Sequence, residues 1–245
     1  MVQIFIITGN CFYLPGCSVA IELLLCHSLV RYNFIEPCNF LSINLALLSL
    51  ADQYFFLLME HLLAYIKNYY PLSKEAQSAL HDCFEKIVLS KNEYLLKEGQ
   101  ISRHLYFLEK GALRGFYNLD GKEITHWFGF ENDFVTSFHS FITSEPAVEN
   151  IQLIEGCILW EISKEQLNKL FNAHHEIERL VRIVYEKYYI RLEERYVNAQ
   201  FKTAKDLYEN LLQQRPHILE RVSLGYIASY LGISQETLSR IRSRL

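Results

Sequence analysis

The pattern of apolar and polar positions changes three times along the chain. Up to residue 58 apolar side chains run almost without a break and keep neither a period of 2 nor one of 3.6. A short helix is then predicted after Ser73, which can cap it, with Glu75 and the apolar Ala76, Leu80 and Phe84 following. Beyond it the apolar residues come in short aromatic or β-branched runs: 86–90, 93–96, 105–108, 112–118, 123–130, 151–155 and 158–162. Runs of that length separated by turn residues predict antiparallel strands, and Asp120-Gly121 predicts a type I′ hairpin because both central positions of that turn want φ > 0. Many such strands in sequence read as a sandwich, barrel or jelly roll.

From Ser163 to about Gln213 there is almost no Gly or Pro, and the period becomes helical. Ile177, Val181, Val184, Tyr188 and Leu192 recur in steps of four, three, four and four, with Leu180 and Tyr185 widening the stripe. Two readings stay open: an amphipathic helix packed on its own domain, or a coiled-coil seam that pairs two copies of the chain. The second is the expected one, with those five residues as the seam.

Residues 223–245 read SLGYIASYLGISQETLSRIRSRL. A helix-turn-helix needs a small residue where its helices cross, a Gly at the turn that accepts φ > 0, and a few apolar residues for its core. Ala228 and Gly232 meet the first two needs, and Ile227, Leu231, Ile233, Leu238 and Ile241 meet the third. Ser234 can cap the second helix, which leaves Gln235, Glu236, Ser239, Arg240 and Ser243 on its outward face, with Arg244 beyond. Such a face can read base edges or hold phosphates.

Composition changes this picture at two points. The formal charge of −4 excludes a protein that coats nucleic acid by bulk charge, yet from Arg191 onward nine Lys or Arg stand against six Asp or Glu, so the basic excess sits beside the motif. Residues 1–58 hold four charged side chains (Glu22, Arg31, Glu36, Asp52) against 48 in the remainder. That leader has three readings: a signal peptide, which the late first basic residue opposes; a membrane anchor over 40–59, which Asp52 opposes; and a native start at Met59, which is the expectation. Cys11, Cys17, Cys26 and Cys38 lack the short Cys-x₂-Cys steps of an iron–sulfur site, and a reducing cytoplasm is the expected setting.

Candidate chemistry is otherwise sparse. His104, His126 and His139 stand alone, and the adjacent His174-His175 diverge on a helix, so no metal site is expected. No phosphate loop and no nucleophile elbow occurs, so no enzyme and no cofactor is expected.

The order of β-roll, long helix and helix-turn-helix over 59–245 resembles the bacterial Crp/Fnr family of transcription regulators. The resemblance is carried by SQETLSR at 234–240 and by the Glu98-Gly99 and Leu119-Asp120-Gly121 turns, and TAKDLYENLLQQRP at 203–216 with IASYLGIS resembles a branch common in Bacteroidetes-type bacteria. It implies an α+β chain: a β-roll effector domain at 59–172, a dimerisation helix at 173–200 and a winged helix-turn-helix at 201–245. It further implies a homodimer bound to a palindromic operator in double-stranded DNA and working with RNA polymerase, with no membrane partner. Gln235, Glu236 and Arg240 match the family's base-reading positions. The family's Gly-Glu and Arg-Ser pairs, which grip a cyclic nucleotide, fall on Thr136-Ser137 and Ala147-Val148, so that ligand is not expected. Any other effector is expected in a pocket formed by those four residues with Trp127, Phe134, Phe138 and Phe141. The rival expectation is a ligand-binding or membrane-tethered sensory protein whose helix-turn-helix is only structural.

Overall fold

The computed structural model describes residues 61–244, which fall in one compact unit. The expectations for the leader, its cysteines and the start at Met59 lie outside those residues.

A helical segment at 61–67 leads into α1 (Lys74–His81), where Ser73 accepts from the Ala76 N–H as the sequence predicts. Eight strands follow: β1 (Glu85–Leu89), β2 (Tyr94–Leu96), β3 (His104–Lys110), β4 (Leu113–Leu119), β5 (Lys122–Gly129), β6 (Phe134–Val135), β7 (Asn150–Leu153) and β8 (Cys157–Ser163), with α2 (Phe138–Thr143) between β6 and β7. They form two antiparallel four-stranded sheets, ordered β1-β8-β3-β6 and β2-β7-β4-β5. Asp120 and Gly121 join β4 to β5 with φ of 51° and 80°, the left-handed backbone that a type I′ turn requires. Leu108, Leu113, Ile151, Leu153 and Leu159 fill the roll, because successive side chains of a strand point to opposite faces and one face of each sheet turns inward.

The Gly-free run after Ser163 is three helices rather than one: α3 (Lys164–Ala173), α4 (His175–Phe201) and α5 (Ala204–Gln214). The breaks come from caps. Ser163 with Gln166, and Thr203 with Asp206, each form a reciprocal capping box that satisfies the free N–H groups of a new helix start, and His174 is extended between α3 and α4. Phe107, Trp160 and Ile162 on the outer face of the first sheet pack against Leu80, Ile177, Leu180 and Val181, so α4 begins as a core helix of the roll.

The chain continues through α6 (Ile218–Arg221), α7 (Leu224–Tyr230) and α8 (Gln235–Arg242). Tyr208, Leu211, Ile218, Ile227, Ala228 and Leu238 form a core that runs without a gap into Ala112, Phe130 and Ile154 of the roll. Among the described residues every regular element of the C-terminal segment is a helix, and no strand stands where the expected wing would be.

Candidate nucleic-acid interface and effector cavity

α7 and α8 are joined at Gly232, whose φ of 69° lets the chain reverse in one residue. Ala228 is buried at the crossing, and Leu231 and Leu238 close the core beside it. Ser234 accepts from the Thr237 N–H and so starts α8. The remaining expected contact residues, Gln235, Glu236, Ser239, Arg240, Ser243 and Arg244, are all exposed, as is Ser234 itself. A hydrogen bond from Ser234, with help from Arg240, holds the Glu236 carboxyl below the usual carboxylate range, which keeps it an acceptor. The whole polar face of α8 therefore points away from the roll.

The opposite side of the motif is anchored. β5 is an edge strand, and such an edge presents unpaired backbone groups. Ser229 of α7 covers it with one hydroxyl, accepting from the Thr125 N–H and donating to the Glu123 carbonyl, both at 2.9 Å. Beside it the buried Arg114 guanidinium lies between the rings of Phe116, at 4.0 Å, and Tyr226, at 3.7 Å, and donates to Glu123, Thr125 and Gln152. Arg221 forms the second anchor, forking onto Glu131 and Glu155 with contacts of 2.7 to 2.9 Å. None of these partners is adjacent in sequence, and none was signalled by a motif.

Burial of Glu131 opposes its ionisation, but hydrogen bonds from Arg221 and from the Gly111 N–H outweigh it and hold the carboxyl at about 2. Because the folded value is depressed, the anchor contributes fully above the ordinary carboxylate range and is lost as the pH falls from there toward 2. The urea midpoint of the native protein should therefore drop more between pH 7 and pH 3 than that of Glu131→Gln, and equal drops would show that this pair does not hold the motif down.

The residues expected to form an effector pocket separate into two groups. Trp127, Phe134, Thr136 and Phe138 line one wall of a cavity of about 440 Å³ that reaches from β5 past α4 to α5 and α7. The other four do not meet there. Phe141 is buried in the core between the sheet and the helices, Ala147 in the roll interior, and Val148 points to solvent with 62% of its surface exposed. Ser137 is buried and reaches Glu149 instead. The Glu149 carboxylate accepts from Trp127 Nε1 at 2.9 Å and lies 2.7 Å from His126 Nε2. Burial would raise its pKa, yet the hydrogen bonds from His126, Ser137 and Trp127 prevail and leave it lowered.

The expected dimer seam is corrected by its own core. Ile177 and Val181 are buried against the first sheet, Tyr188 packs on Phe138 with ring centroids 3.8 Å apart and the planes tilted by 32°, and Val184 lines a hollow beside Tyr65. Of the five, only Leu192 is exposed. The stripe is the face that α4 turns toward the roll. A second apolar set further along the helix, Tyr189, Ile190, Tyr196, Val197 and Phe201, is exposed.

Comparison with known proteins fits this geometry. The sequence model described as the cyclic nucleotide-binding domain matches residues 86–174. The roll is of the cyclic nucleotide-binding type. Solved structures with a similar fold include the c-di-GMP responsive global regulator CLP of Xanthomonas campestris, at 19% identity and a TM-score of 0.57 over 70% of this chain and 91% of that one. FixK2 from Bradyrhizobium japonicum is similar at 21% identity and a TM-score of 0.55, over 66% of this chain and 84% of that one. A candidate transcriptional regulator of the Crp/Fnr family from Eubacterium rectale is similar at 17% identity and a TM-score of 0.56, over 72% and 87%. No curated protein sequence matches the chain.

The loop from Thr136 to Glu149 carries no Lys or Arg. At the positions that the family resemblance assigns to the ligand's grip stand two hydroxyls and two apolar residues, with the Glu149 carboxylate next in line. Among the described residues no group of three His, Cys, Asp or Glu could hold a metal ion, and no helix is long and apolar enough to cross a membrane.

Proposed function

We propose that this chain is a transcription regulator of the Crp/Fnr type: a cytoplasmic homodimer that binds a palindromic operator in double-stranded DNA, acts with RNA polymerase, and is not switched by cyclic nucleotides. The observation that carries this reading is α8, a capped helix whose outward face is polar and includes Arg240, with Arg244 just past its end, set on a Gly232 turn. The fold shared with CLP and FixK2 supports it. Arg240 presents a planar fork suited to guanine O6 and N7, and Glu236 can accept from a cytosine amino group. With two copies, the recognition helices would enter successive major grooves about 34 Å apart. The exposed set Tyr189, Ile190, Tyr196, Val197 and Phe201 offers the surface through which α4 pairs with a second copy. An electrophoretic shift on DNA upstream of the chain's own gene tests the reading. Binding that survives competitor DNA and weakens steeply with salt is expected, and binding that competitor removes altogether would overturn it.

Cyclic AMP and cyclic GMP should show no heat of binding in calorimetry at micromolar protein. No Lys or Arg stands between Thr136 and Glu149 to meet a phosphate placed at Ala147-Val148, and the Glu149 carboxylate follows directly in the chain. Micromolar affinity for either nucleotide would show that another group takes the missing guanidinium's part.

A further inference from the structure

The cavity of about 440 Å³ falls within the roughly 300–1,000 Å³ usual for small-molecule sites. Its position is the informative feature. It touches β5 of the roll, the C-terminal half of α4, α5, and the end of α7, so whatever fills it contacts the effector domain and the DNA-binding helices together. Its walls combine aromatic faces, among them Trp127, Phe128 and Tyr230, with the guanidiniums of Arg191, Arg195 and Arg215. Arg191 and Arg215 share a single carboxylate, Asp133, at 2.9 and 3.5 Å. Arg195 has no carboxylate at ion-pair distance among the described residues, and its guanidinium lies over the Tyr230 ring at 5.5 Å. Glu194 also borders the cavity but is exposed and pairs with none of the three. Three cations therefore face two carboxylates on a wall that carries eight aromatic side chains beside aliphatic and amide ones.

We propose that this cavity binds an organic anion with a flat aromatic body, the rings taking the apolar part and Arg195 pairing with the charge. A guanidinium held over an aromatic face and lacking a counter-ion is prepared for that combination, since a charge-assisted pair forms there without breaking an existing one. The roll's own ligand loop supplies the contrast, because Glu149 fills it with negative charge. A ligand in the cavity bridges the roll and the motif, so it shifts DNA affinity by its preference for one arrangement of the two. That regulatory meaning rests on the DNA-binding reading above, whereas the binding itself does not.

The test uses 1-anilinonaphthalene-8-sulfonate, a fluorescent aromatic anion, with the full chain. Saturable one-site fluorescence is expected, displaced by 2-naphthoate and not by the cation 1-naphthylmethylammonium. Arg195→Ala should weaken the dye roughly tenfold, as expected for a lost charge-assisted contact. Asn210→Trp, which fills the cavity from α5 and removes no charge, should abolish one-site binding. Absence of saturation, equal displacement by the cation, or unchanged affinity in both variants would overturn the proposal, and the displacement arm needs no variant to fold. If duplex DNA binds, the dye and the DNA should alter each other's affinity by one common factor, and mutual indifference would overturn the regulatory meaning alone.

Discussion

Arg114→Ala is expected to destabilise the protein by about 3–5 kcal/mol, the range for breaking a buried hydrogen-bonded charge network. The side chain is 1% exposed, fills the space between Phe116 and Tyr226, and donates to three acceptors. Part of the ionic contribution is screened, since the Glu123 side chain is 46% exposed, so most of the loss is packing, ring contact and unmade hydrogen bonds. For a chain of this size the melting temperature should fall by roughly 10 °C. Arg114→Met, which keeps the unbranched stem between the rings, should lose about half as much. Thermal melts of the three proteins decide the matter. A shift of a degree or less for Arg114→Ala would show that the motif is held to the roll by its apolar core alone.

Ile190→Asp combined with Val197→Asp should convert a dimer into a well-folded monomer. The two residues lie seven apart on the same side of α4, are 51% and 45% exposed, and belong to none of the chain's own core clusters. Four added carboxylates across a two-fold seam would repel one another with no partner in reach. Losing the second recognition helix removes the chelate advantage of two linked half-sites, so operator affinity should fall by roughly 10²–10⁴-fold. Sedimentation of both forms at micromolar concentration, followed by a shift assay, reads both effects. Val181→Asp, by contrast, should unfold the α4 packing, because Val181 is buried in the core. A wild-type chain that sediments as a monomer contradicts the dimer, and a dimeric double variant contradicts this face.

What the sequence made legible was local. Short aromatic and β-branched runs between turn residues placed the strands, Asp120-Gly121 placed the hairpin, and Ala228, Gly232 and Ser234 placed the motif, because each of these rests on residues that are neighbours in the chain. β6 is only two residues long and cannot show a period, although Phe134 pairs with Phe107 across the sheet. The helix breaks lie in the capping boxes at Ser163 and Thr203, a signal that the absence of Gly and Pro does not carry. The choice of face on α4 needed tertiary information. Its sequence carries two apolar stripes, and periodicity says that each must be covered without saying which one the roll covers. Ser229 with Thr125, Arg114 with Tyr226, and Glu149 with Trp127 join residues far apart in the chain, and neither composition nor spacing could have paired them.

The central claim is that α8 reads DNA sequence, and comparing Arg240→Ala with Arg244→Ala on an operator and on a scrambled duplex at fixed salt tests it most directly. Both arginines are exposed, so neither change should alter the fold. If Arg240 meets a guanine edge, its loss should cost about 1–3 kcal/mol on the operator and much less on the scrambled duplex, while the loss of Arg244 weakens both alike. Equal losses on the two duplexes for Arg240→Ala would contradict base reading by this helix.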